Sequence, residues 1–201
     1  MIEVHYKNEV NKESQLYKRL HEAHRRLINK ENTIWGSEAA AEASIRMDWL
    51  DLPSESRALL AQLDSLFAKH KHLTNVILCG MGGSSLGPEV IAHTFGKELF
   101  VLDSTDPNYV SHSLTSDWSK TLVIVGSKSG STIETASQKS FFESCFEKAG
   151  LNKADHMIIV TDPKSPLDLA SREAGFTVVN ANPNVGGRFS VLGAFGLVPA
   201  A

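Results

Sequence analysis

The sequence predicts an α/β fold: a five-stranded parallel doubly wound sheet with a helical N-terminal arm. Three observations carry this reading. After His72 come five short apolar runs, rich in Val, Ile and Leu, at 75–79, 99–103, 121–125, 157–160 and 176–179. The runs are continuous rather than alternating, which suits strands covered on both faces. Segments with helical signals lie between most of them, and strands that alternate with helices imply a parallel sheet.

The arm, expected over 1–71, contains no strand-like run and no internal repeat. Leu16, Tyr17, Leu20, His24, Leu27 and Ile28 recur at steps of three and four, with Lys18, Arg19, Arg25 and Arg26 between them, the mark of an amphipathic helix. Residues 31–36 break the pattern, a second helix is expected over 37–49, and a third after Pro53 with Leu59, Leu60, Leu63, Leu66 and Phe67 on one face. In the second part, expected over 72–201, helices are placed at 88–95 after the first run, 132–149 after the third and 165–174 after the fourth. Gly150 stands just past the second of these. The last has a full set of end signals: Ser165 to cap, Pro166 at the first helical position, Asp168 two further on and Gly175 beyond the end. Asp106-Pro107 reads as a turn within the longer connection at 104–120.

Composition narrows the function classes. The chain has 201 residues, a net charge of −3, 42% hydrophobic and 21% charged residues, ordinary for a soluble globular protein. A chain of this size buries roughly 70% of its unfolded surface and needs no disulfide or metal staple. The near-neutral charge argues against a nucleic-acid partner. No apolar run approaches the ~20 residues that span a bilayer, and the polar N-terminus lacks the apolar core of a signal peptide. Cys79 and Cys145 read as buried reduced thiols, and a cytoplasmic location is expected. Paired histidines such as His21 and His24 lack further ligands at a recognisable spacing, so no metal site is expected. His93 and His112 read as surface or capping residues.

In doubly wound sheets, ligands bind beyond the carboxyl ends of the strands. Three segments fall there. The first is Gly80-Met81-Gly82-Gly83-Ser84-Ser85-Leu86-Gly87-Pro88, whose glycines let the backbone turn tightly and approach a ligand before a helix start that attracts anions. The second is Ser127-Lys128-Ser129-Gly130-Ser131-Thr132. Four hydroxyls, a lysine and a glycine before a helix make a phosphate cradle, where one cap needs one hydroxyl. Glu134 in the following turn suits the helix dipole and is not assigned as a base. The third is Gly186-Gly187-Arg188-Phe189-Ser190, where the Arg188 fork at a helix start could hold a phosphate or a developing oxyanion. A competing dinucleotide reading uses Gly80 and Gly82, with Asp103 about 20 residues on as the ribose-binding acid. Ser85 stands where its third glycine belongs, and that reading leaves the hydroxyl loop unexplained. There is no Walker A motif.

In this order and spacing, the three segments resemble the glucose-6-phosphate isomerase (phosphoglucose isomerase) family. The first is similar to the family's G-I-G-G-S-x-L-G-P signature, with Met81 for isoleucine. The second is similar to S-K-T-x-T-T-x-E-T, with Ser129, Gly130 and Ser131 substituted. The third is similar to G-G-R-[FY]-S…G-L, with Gly196 and Leu197 completing it. Thr33-Ile34-Trp35-Gly36 and Trp49-Leu50-Asp51-Leu52-Pro53 also resemble the isomerase part of transaldolase–isomerase fusions.

The resemblance implies the sugar-isomerase (SIS) fold and the interconversion of glucose 6-phosphate and fructose 6-phosphate through a cis-enediol, with no metal or organic cofactor. It implies that Ser127, Lys128, Ser129 and Thr132 surround the phosphate, that Gly83 and Ser84 line the sugar side, and that Arg188 stabilises the enediolate. It also implies a small-molecule sugar phosphate as partner and a homodimer for the full-length enzyme. The family's base and ring-opening histidine lie beyond the third signature, so the chain is expected to be an N-terminal part of such an enzyme, truncated at its C-terminal end and inactive alone. The alternatives are a non-catalytic SIS-type sugar-phosphate-binding module and a dinucleotide-binding domain.

Overall fold

The computed structural model describes residues 10–115 and 117–201. The chain divides into two compact units, the first ending at Met47 and the second spanning Asp48–Ala201.

In the first unit, helix α1 spans Gln15–Ile28. Ser14 caps it, its Oγ accepting the Tyr17 N–H at 3.2 Å, and Arg25 and Arg26 sit in the last turn, where cations complement the dipole. The helix expected over 37–49 is not continuous: only the single turn α2, Ala40–Ala43, is α-helical, followed by a 3₁₀ turn at Asp48–Leu50 in the second unit. A short helix is marginal unless packing offsets its nucleation, and α2 buries only Ala43.

The second unit holds the sheet. Its elements are α3 (Leu52–Ala68), β1 (Asn75–Gly80), a 3₁₀ turn (Gly82–Ser84), α4 (Leu86–Thr94), β2 (Phe100–Leu102), α5 (Pro107–His112), β3 (Thr121–Ser127), α6 (Ile133–Lys148), α7 (Lys153–His156), β4 (Met157–Thr161), α8 (Pro166–Glu173), β5 (Thr177–Asn180), a 3₁₀ segment (Gly187–Leu192) and α9 (Ala194–Ala200). The strand order is β2-β1-β3-β4-β5, and every neighbouring pair is parallel. The five-stranded parallel doubly wound sheet expected from the apolar runs is therefore present.

Side chains alternate between two cores. Leu78, Val101, Leu122, Ile124, Ile158 and Val160 share one face with Leu63 of α3 and with Phe195 and Val198 of α9. Ile77, Cys79, Leu102, Val123, Val125, Met157 and Ile159 share the other with Phe142 and Phe146 of α6. Central β3 is buried along its whole length, which is why its sequence does not alternate. The expected boundary near His72 falls inside this unit: α3 packs Leu59, Leu63, Leu66 and Phe67 onto the sheet and belongs to the core.

Two connections differ from or fill in the sequence reading. Asp106-Pro107 starts a helix rather than a turn. The Asp106 carboxylate accepts the N–H groups of Asn108 and Tyr109, both at 3.0 Å, and Pro107 occupies the first turn. Helix α8 matches its expected signals: Ser165 Oγ accepts the Asp168 N–H at 3.0 Å. Among the described residues, no helix is long and apolar enough to cross a membrane.

Candidate functional site

In the order β2-β1-β3-β4-β5, the chain leaves β1 toward one edge and later leaves β3 toward the other. The loops after these strands diverge and open a crevice. Gly80 at the end of β1 pairs in register with Gly126 near the end of β3, so the first two sequence motifs start side by side. Ser84 lies over this pair: a Cβ on Gly80 would be 3.2 Å from the Ser84 Cβ, and one on Gly126 would be 3.4 Å from it.

The third motif, over 100 residues on, is locked to the first through glycines. A Cβ on Gly83 would overlap the Gly187 carbonyl oxygen, 2.7 Å from its carbon and 3.2 Å from the Arg188 nitrogen. One on Gly87 would lie 2.9 Å from the Val191 Cβ, and one on Gly196 would be 2.8 Å from the Val191 Cα. Ser190 holds the segment's own turn, its Oγ donating to the Gly187 carbonyl at 2.7 Å. Phe189 stacks on Trp49 with ring centroids 5.3 Å apart, and Ser56 Oγ donates to the Leu192 carbonyl. Arg188 is exposed, and its side chain makes no hydrogen bond or ion pair among the described residues. It lies in the 3₁₀ segment, six residues before α9, rather than at the start of an α-helix as expected.

The hydroxyl loop tightens between β3 and α6. Gly130 adopts φ +69°, in the left-handed region, and a Cβ there would lie 2.8 Å from the Leu167 Cβ and 2.9 Å from the Leu167 nitrogen. Ser129 Oγ accepts both the N–H (3.2 Å) and the hydroxyl (2.9 Å) of Ser131. Thr132 occupies the N-cap of α6, yet its side chain makes no capping bond; it meets the buried Ser127 hydroxyl at 3.4 Å. The helix start thus keeps free donors that favour an anion, worth about 0.3–1 kcal/mol and up to ~2 when partly buried.

Ser127, Thr132, Lys139 and Thr135 line a cavity of about 240 Å³ between α6 and α8. Thr135 is 2% exposed, and its hydroxyl has no partner among the described residues. A buried hydroxyl left unpaired costs about 1–3 kcal/mol. The threonine was not selected from the sequence; its place one turn past the capping Thr132, on the same helix face, was the available signal.

The lysine makes an ion pair across to the neighbouring strand: Lys128 Nζ lies 2.6 Å from Asp162 Oδ2, just past the end of β4. Asp162 was not selected from the sequence, although it directly follows a buried strand at the carboxyl edge of the sheet, the edge where Gly80 and Ser127 end theirs. Asp48 fixes the approach to the third motif, its Oδ2 accepting the side-chain amides of Asn182 and Asn184, both at 3.1 Å.

The dinucleotide alternative loses ground. The sheet order is the flavodoxin-type one and not the dinucleotide order, with strand 1 between strands 2 and 4. Ser85, in place of the third glycine, is fully buried and donates to the Gly82 carbonyl at 2.9 Å. No group of three or more His, Cys, Asp or Glu among the described residues is placed to hold a metal ion.

Comparison with known proteins agrees with this arrangement. The phosphoglucose isomerase family profile matches residues 20–201. A glucose-6-phosphate isomerase of a Cyanothece species is 35% identical over 170 residues, 75% of this chain and 32% of its own length. The Thermus thermophilus glucose-6-phosphate isomerase is 33% identical over 188 residues, 90% of this chain and 43% of its own. The crystal structure of a hypothetical protein from Thermus thermophilus superimposes with a TM-score of 0.76 at 34% identity, covering 90% of this chain and 43% of that one. The chain thus spans less than half the length of these relatives. With all three signatures converging at one edge of the sheet and the family profile matched over most of its length, the chain belongs to the phosphoglucose isomerase family.

Proposed function

We propose that this chain carries the phosphate grip and the oxyanion cation of a glucose-6-phosphate isomerase, an enzyme of glycolysis and gluconeogenesis in the cytoplasm that works as a homodimer. The observation that carries the reading is the meeting of the β1 loop, the β3 hydroxyl loop and the Gly186-Gly187-Arg188 segment at the strand switch point.

In this proposal the phosphate of glucose 6-phosphate is held by the hydroxyls of Ser127, Ser129 and Thr132 and by main-chain N–H groups around Lys128, at the start of α6. Gly83 and Ser84 bound the sugar side. Isomerisation moves a proton between C2 and C1, and the electron pair left behind shifts onto the carbonyl oxygen as an enediolate. A fixed cation near that oxygen stabilises the charge where it develops, and Arg188 is unpaired among the described residues. The phosphate, remote from the reacting carbons, contributes binding energy that orients them. The base and the ring-opening acid are assigned to residues outside this chain. No cofactor or metal takes part in this scheme.

Calorimetry with 6-phosphogluconate tests the reading. The chain is expected to bind it weakly, and Ser127→Ala with Thr132→Ala to abolish the signal. Binding of NAD in its place would overturn the proposal in favour of a dinucleotide domain. In a coupled isomerase assay the chain alone is expected to show no turnover; turnover near that of a full-length enzyme would refute the assignment of base and acid elsewhere. Mixing with the remaining part of the enzyme is expected to restore turnover; a non-catalytic sugar-phosphate sensor would stay silent.

A further inference from the structure

We infer that Lys128 is a positioning residue: its ammonium straps the hydroxyl loop to the end of β4 and to the loop that leads to Arg188, and does not itself bind the anion. The inference deepens the proposed phosphate site and rests on that reading only for its binding test.

An ammonium group has three N–H donors. Lys128 Nζ has three protein acceptors: Asp162 Oδ2 at 2.6 Å, the Pro183 carbonyl at 3.3 Å and the Asn182 carbonyl at 3.5 Å. Its donors are therefore matched within the protein. Both side chains of the ion pair are largely covered, 22% exposed for Lys128 and 18% for Asp162, so solvent screens the pair weakly. The second Asp162 oxygen is buried with no partner among the described residues. Lys128 is thus the only counter-ion shown for that carboxylate among the described residues, and drawing it toward a phosphate would leave a buried charge unpaired.

The main chain repeats the link. The Asp162 N–H donates to the Lys128 carbonyl at 3.3 Å, and Thr161 Oγ1 reaches the same carbonyl at 3.5 Å. Beyond the strap, Asn182 Oδ1 accepts the Asn184 N–H at 2.8 Å, a few residues before Arg188. The arginine segment is therefore tied on two sides: to the β1 loop through Gly187 against Gly83, and to the hydroxyl loop through the Asn182 and Pro183 carbonyls against Lys128.

The two roles for Lys128 predict opposite signs. If its ammonium gripped the anion, Asp162→Asn would free it and tighten binding. For a strap, Asp162→Asn and Lys128→Met both weaken binding by about tenfold, as loss of an orienting contact does. The double variant Lys128→Met/Asp162→Leu is then no worse than either single one, because residues acting as one unit are not additive. The purified 201-residue chain is titrated with inorganic phosphate and with 6-phosphogluconate, and tighter binding by Asp162→Asn overturns the strap.

Amide hydrogen exchange needs no ligand. The strap predicts that Lys128→Met speeds exchange in residues 182–188 as well as in 129–132; acceleration confined to 129–132 refutes it. Should either single variant fail to fold, the double variant removes both charges of the pair, and the same exchange criterion applies. If the unaltered chain binds neither anion, the phosphate reading fails while the exchange result still judges the strap.

Discussion

Gly83→Ala tests how the first and third motifs are joined. The added methyl would sit 2.7 Å from the Gly187 carbonyl carbon, 3.2 Å from the Arg188 nitrogen and closer still to the Gly187 oxygen. All three are main-chain atoms, so no side chain can rotate away, and an ordinary contact of roughly 3.5 Å returns only if the two loops separate. Overpacking of this kind costs about 1–3 kcal/mol, and rigid backbone on both sides points to about 2–3. For a chain of this size that lowers Tm by about 4–12 °C. Gly82→Ala is the control. Gly82 has φ +58° with nothing within 4 Å of a Cβ, so alanine there meets backbone strain of about 1–2 kcal/mol without touching the arginine segment. Thermal melts and 6-phosphogluconate titration on both variants separate the effects. Gly83→Ala should lose both stability and affinity, and Gly82→Ala mainly stability. A Gly83→Ala protein that melts with the unaltered chain and keeps its affinity would refute the contact.

Three further outcomes follow from the packing and charge. The Lys164 N–H at 2.7 Å, the Asn180 amide and the Arg172 guanidinium hold the Asp168 carboxyl below the usual carboxylate range, against the opposing effect of burial. That stability is present above the unfolded carboxylate pKa of about 4 and is lost as pH falls through the folded value. Asp168→Asn should therefore lower Tm at pH 7, with the gap closing in acid; a gap that widens in acid would contradict the assignment. Phe142 is fully buried between α6 and the sheet, so Phe142→Ala should cost about 3–5 kcal/mol in urea unfolding, whereas Ile133→Ala at a 72% exposed site should stay within about 0.5; equal losses would argue against this face of the core. Burial pushes the Cys79 thiol well above its ordinary range, so a thiol reagent should reach it only in denaturant, and labelling of Cys79 in the native protein would argue against the packing of β1.

Much of the fold was legible because its determinants are local. The apolar runs of β1, β3 and β4 are unbroken since both faces of each strand are covered, and a continuous run records that directly. The capping signals at Ser165, Pro166 and Asp168 act within four residues, and α8 follows them. The stretch at 37–49 misled because helical spacing without a core to pack against does not sustain a helix. Asp106-Pro107 misled because the pair that opens a turn also opens a helix when two N–H groups lie within reach of the carboxylate. Placing α3 with the arm failed for the converse reason: its apolar face was visible, but not the sheet it covers.

From the chain's composition and motifs alone came the residue chemistry of the site: which loops hold glycines, hydroxyls and a guanidinium, and that the first two directly follow apolar strands. Tertiary structure alone decided how these are used. It set Gly83 against Gly187 and turned Lys128 to an aspartate 34 positions away. It also left the Thr135 hydroxyl unpaired beside Thr132. Local sequence specifies conformation through caps, turns and hydrophobic periodicity, whereas the partner of a charge or the neighbour of a glycine depends on which strand ends the sheet brings together.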